Sequence, residues 1–164
     1  MATKTDFTEE EWIRLGRAPV VAGMAISLAD PGGPIETIKE SSAALRTVLE
    51  AAQGGSYGEF VQAVAHDFAD KARHRHNPMA GFKPKGPGAG EEVLEELHAV
   101  NAVLVEKTTP EEREQFREWL KTAAQRAATA AKEGGFLGFR AERVSEREQQ
   151  MLDRLAEVFH GDDD

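Results

Sequence analysis

An all-α fold is what this 164-residue chain predicts, and three observations predict it. Thr8/Glu11, Thr109/Glu112 and Ser145/Glu148 each place a hydroxyl three residues before a carboxylate, just ahead of apolar residues at helical spacing. Strand-type alternation is weak almost everywhere. Residues 18–29 are uncharged and apolar on nearly all faces, the pattern of a helix buried among others. The expectation is a compact bundle of six to seven helices around one buried central helix, in a single domain over residues 1–164.

Each element follows from local chemistry. The Thr8 box opens the first helix. Pro19 predicts a kink or a fresh start, because proline supplies no N–H and fits best in a first turn. Asp30-Pro31-Gly32-Gly33-Pro34 ends the buried segment. Residues 35–52 form the next helix, with Ile38, Leu45, Leu49 and Ala52 as its apolar stripe. Gly54-Gly55 breaks it. A helix from about Tyr57 into the low seventies buries Phe60, Val61, Val64 and Phe68. A Gly/Pro-rich stretch follows, and residues 75–90 are expected to be mobile. Residues 91–106 bury Val93, Leu97, Val100 and Leu104.

The Thr109 box, with Pro110 at the first helical position, opens a helix to about residue 133. Its stripe is bulky first (Phe116, Trp119, Leu120) and then only alanine (Ala123, Ala127, Ala130, Ala131). The alanine half is expected to lie close to another helix. The Ser145 box opens the last helix, whose stripe is Met151, Leu152, Leu155, Val158 and Phe159. Residues 161–164 are an acidic tail, expected to be disordered.

Composition narrows function. The net charge of −9 disfavours general nucleic-acid binding, which needs a basic face. The chain has no cysteine, which removes thiolate chemistry and Cys-based zinc sites. No apolar run is long enough to span a bilayer, and Met1 to Asp6 lacks a secretory pattern, so the cytoplasm is the expected location.

Candidate sites are few. Glu95/His98 and Glu157/His160 have the Glu-x-x-His spacing of di-iron bundles, but helical phase turns both away from their apolar stripes. His66, Asp70 and His74 recur at four-residue spacing, which can line ligands for a divalent metal along one face. An exposed stripe of mixed charge is the plainer reading.

Residues 71–90 contain five basic residues, Lys71, Arg73, Arg75, Lys83 and Lys85, and no acid. That segment is a candidate docking loop for an acidic partner, a phosphoryl group or nucleic acid. The glycines at 86, 88 and 90 match neither common phosphate-loop spacing, and Glu91 and Glu92 compete with an anion at the following helix start.

The second candidate contact is Gly134-Gly135-Phe136-Leu137-Gly138-Phe139, an apolar connector in a place where connectors are usually polar. Phe136 and Phe139 either meet a partner or plug the room beside the alanine face. The plug is the preferred expectation.

Lys132 to Phe139 with Val144-Ser145-Glu146-Arg147-Glu148 is similar to the C-terminal part of small bacterial helical proteins. More loosely, it resembles the tellurite-resistance TerB-like domains. That resemblance implies an all-helical, stress-related or membrane-associated protein. TerB-like domains carry an acidic Asp-Gly turn associated with metal. The turn here is Arg140-Ala141-Glu142-Arg143, so no site residue carries over.

No serine elbow or Ser/His/Asp set can be assembled. The expectation is therefore a non-enzymatic interaction or scaffold protein, with a protein partner or a second copy and no cofactor. The alternative is a small-ligand or metal-binding helical domain.

Overall fold

The computed structural model describes residues 1–29, 34–132 and 144–160, the side chains of residues 34–40 and 131–132 excepted. It is all-α. Among the described residues there are six helices and no strand: α1 (Glu9–Ala29), α2 (Pro34–Ala52), α3 (Glu59–Arg73), α4 (Ala89–Lys107), α5 (Pro110–Lys132) and α6 (Glu146–His160). Short 3-10 turns cover Lys4–Asp6 and Gly86–Gly88.

All three capping boxes form. The Thr8 amide donates to Glu11 Oε2 at 2.7 Å, and the Glu11 amide to Thr8 Oγ1 at 3.2 Å. The Thr109 amide donates to Glu112 Oε2 at 3.0 Å, and the Ser145 amide to Glu148 Oε2 at 2.9 Å. Each box satisfies amides that a helix start leaves without intrahelical partners, worth about 1 kcal/mol apiece.

α1 is the central helix and touches each of the other five. It runs unbroken through Pro19, so no new helix starts there. Proline forfeits one backbone hydrogen bond. Burial of Leu15, Ala18, Val21, Ala22, Ala25 and Ile26 around it offsets that loss. An aromatic chain extends the core sideways. Phe7 stacks on Phe60 at 5.7 Å, Phe60 meets Phe116 at 5.8 Å, and Phe116 meets Trp119 edge-on at 5.2 Å.

α2 departs from the expected stripe. It buries Ala44, Thr47, Val48 and Ala51, and leaves Leu45 and Leu49 40% and 38% exposed. The cause is proximity. A Cβ added to Gly23 of α1 would stand 2.8 Å from Ala44 Cβ and 3.7 Å from Ala127 Cβ. At that spacing α1, α2 and α5 admit only small side chains between them. In the alanine half of α5, Ala123 and Ala127 are fully buried together with Ala124 and Ala128, whereas Ala130 is half-buried and the Ala131 side chain lies outside the described residues; at Ala127 the helix lies against α1. Trp119 Nε1 donates to the Thr47 carbonyl at 3.3 Å across the same seam.

Among the described residues, no helix is long and apolar enough to cross a membrane.

Candidate functional site

The first half of residues 71–90 is set by the end of α3. The helix closes with His76 N donating to Lys71 O at 3.0 Å and Arg75 N to Ala72 O at 3.2 Å. Those two bonds make a Schellman-type stop. Arg75 occupies its left-handed position, at φ 59°. Arg73, His74, Arg75 and His76 are all exposed there.

The second half is fastened to the body. Ala80 N bonds Asn77 O at 3.0 Å and Phe82 N bonds Met79 O at 3.1 Å, so the strap is made of tight turns. Met79 and Phe82 pack against the core. Arg17 of α1 then reaches over it. Its Nη1 donates to the Ala80 carbonyl at 3.1 Å, and its guanidinium lies 5.1 Å from the Phe82 ring centre.

Arg17 is itself held by Glu96 of α4. Nε and Nη2 of Arg17 donate to Glu96 Oε1 at 2.8 and 2.6 Å. Arg14 adds Nε bonds to both Glu96 oxygens at 3.2 Å. Arg17 and Glu96 are buried, so the cluster sits where its charges are weakly screened. Sequence reading missed it. Two arginines three apart on an apolar helix were the available signal, but the carboxylate lies 79 positions from Arg17.

Not every basic residue is left for a partner. Lys71 pairs with Asp67 at 3.0 Å, and Lys4 takes the other oxygen of Asp67 at 2.6 Å. Burial raises the Asp67 pKa, and the hydrogen bonds from Lys4 and Lys71 outweigh it, holding the carboxyl below its ordinary value. Arg73, Arg75, Lys83 and Lys85 are exposed and form no salt bridge among the described residues.

His66, Asp70 and His74 are exposed on α3. His74 Nδ1 lies 2.9 Å from the Asp70 carbonyl oxygen and 3.8 Å from its carboxylate. Among the described residues, no three His, Asp or Glu side chains gather closely enough to hold a metal ion. Glu95, His98, Glu157 and His160 are exposed, as their helical phase predicts. Phe136, Phe139 and the rest of the connector lie outside the described residues, as does the acidic tail.

A separate cleft opens between α5 and α6, with a volume of about 220 Å³. Ala124, Leu152, Leu155, Ala156 and Phe159 give it an apolar floor, and Glu118, Lys121, Gln149, Asp153 and His160 a polar rim.

Compared with family models, curated proteins and solved structures, the chain matches none.

Proposed function

We propose that this chain is a non-enzymatic helical interaction protein whose contact with an acidic partner is made by residues 71–85. Uncompensated charge carries the reading. In a chain of net −9, Arg73, Arg75, Lys83 and Lys85 stand exposed with no salt bridge to a carboxylate among the described residues. Arg14, Arg17, Lys4, Lys71, Lys107 and Arg126 all have one. A cation without a local counter-charge keeps its field for an incoming anion. A stress-response setting, implied by the TerB-like resemblance, belongs to the same proposal.

The test compares wild type with a variant in which all four free cations are changed to Gln. Partners are recovered from the native host at low and physiological salt. The reading expects a partner set lost from the variant and weakened by salt. An unchanged set in the variant overturns it.

The α5–α6 cleft favours a second reading, a small-ligand-binding helical domain. A dry cavity of about 150 Å³ already admits a benzene ring. At about 220 Å³, the cleft has room for a ring with a short substituent. Ala156→Leu, which narrows the cleft, would abolish uptake of a small aromatic probe followed by NMR. Equal uptake by the variant counts against this reading.

A further inference from the structure

We infer that the Arg75 corner and the Arg17-held strap form a ready-made site for an acidic polypeptide segment, with Arg75 as its principal contact. The inference rests on the reading that residues 71–85 are the contact surface.

Arg75 is the first observation. At φ 59° it fills a position where glycine is the usual occupant, because a Cβ is penalised there. A guanidinium is kept where glycine would relax the backbone. Conformational cost retained at an exposed polar residue points to a use for that side chain. Arg73, two positions before it, is also exposed, so the corner carries two guanidinium charges.

The strap is the second. Phe82 and Met79 pack on the core, and Arg17 bonds Ala80 O while held by buried Glu96. The chain between Arg75 and Lys83 is thereby fixed before any partner arrives. A preformed site loses less entropy on binding than one ordered by its ligand.

The third observation selects the partner's chemistry. Among the described residues no Phe, Tyr or Trp side chain is exposed, so beside the free cations only the smaller His74 and His76 rings are placed to stack on bases. Glu91 and Glu92 are exposed in the first turn of α4, six and seven positions past Lys85, and would repel any long run of negative charge, so the site suits a short acidic segment. Carboxylates along a short peptide can meet these cations singly, and a guanidinium can hold a carboxylate through two bonds.

The experiment titrates the full chain with a labelled Glu-rich peptide and with an oligothymidylate of matched charge. Arg75→Gly is expected to raise the melting temperature yet weaken peptide binding about three-fold or more. Arg147→Ala, which removes another exposed cation without a salt bridge among the described residues, is expected to leave peptide binding unchanged. Arg17→Met is expected to lower both hydrogen-exchange protection at Phe82 and peptide affinity. Unchanged affinity in Arg75→Gly, or an equal loss in Arg147→Ala, overturns the site. Unchanged affinity in Arg17→Met despite lost protection overturns its preformed character. Tighter binding of the oligothymidylate than of the peptide overturns the partner class. If these fail while the four-fold Gln variant still loses its partners, the broader reading stands. If that variant keeps its partners, both fall.

Discussion

Gly23 and Ala44 meet so closely that a methyl group on Gly23 would lie 2.8 Å from the Ala44 Cβ. Both carbons would be fixed to backbone, so no side chain can swing aside. α1 and α2 must separate to admit the methyl, and α5 is pressed against the same point through Ala127.

Gly23→Ala is therefore expected to destabilise the fold. Helix propensity favours alanine by about 1 kcal/mol. Overpacking costs about 1–3 kcal/mol, and at this distance it wins. Urea unfolding should show a lower midpoint. A midpoint equal to wild type would mean the seam is looser than the geometry says.

Glu96→Ala should be among the costliest polar changes. It leaves Arg17 buried and Arg14 half-buried without their shared carboxylate, a loss of about 3–5 kcal/mol. The pair Arg17→Met/Glu96→Leu removes both buried charges at similar volume and should recover most of that loss. A double-mutant cycle with Arg17→Met and Glu96→Leu as its single variants reads the coupling directly. Additive effects would show that the two residues do not act as a unit.

The two tryptophans should respond differently to replacement by Phe. Trp119 Nε1 donates to Thr47 O, while Trp12 Nε1 is buried with no hydrogen-bond partner among the described residues. Trp119→Phe loses a buried hydrogen bond in addition to volume, so it should cost about 1 kcal/mol more than Trp12→Phe. Paired denaturation curves decide it, and the reverse order would contradict the bonding seen here.

Acid sensitivity follows from Glu112. Burial raises its pKa, but the Thr109 and Ala2 amides outweigh this and leave it lowered. A carboxyl lowered in the folded state contributes stability above its unfolded pKa. That stability disappears as pH falls from the ordinary carboxylate range, about 4, through the lower folded value. Glu112→Gln should reduce stability at neutral pH and flatten the acid limb of melting temperature against pH. Parallel acid limbs for variant and wild type would remove Glu112 from the explanation.

Local chemistry was readable in the sequence. The three capping boxes involve residues three apart, so their types and spacing suffice. The apolar stripe of α3 and the bulky half of α5, with Ala123 and Ala127, were readable for the same reason, whereas burial of Ala124 and Ala128 was not foreseen and Ala130 is only half-buried. The α2 stripe was not. Leu45 and Leu49 look like core by hydrophobicity, yet α2 turns Ala44, Thr47, Val48 and Ala51 inward, with Ala44 set against Gly23.

The candidate site divides along the same line. Its basic composition, Lys71 through Lys85 without an acid, is written in the chain. Which of those cations remain free is not, because Lys71 is taken by Asp67 while Arg73, Arg75, Lys83 and Lys85 form no salt bridge among the described residues. Nor does the sequence show that the stretch between them is strapped down, since Arg17 and Ala80 are 63 positions apart.

By itself, then, the sequence determined the helical segments, the three capped helix starts and the location of the positive charge, all of which depend on neighbours within a turn or two. Tertiary structure decided the α1–α2 spacing, the burial of Glu96 with its arginines, and the fixing of the strap that presents the free cations. Those outcomes depend on distances between segments remote in the chain, where hard contact and weak screening of buried charge, rather than local propensity, select the arrangement.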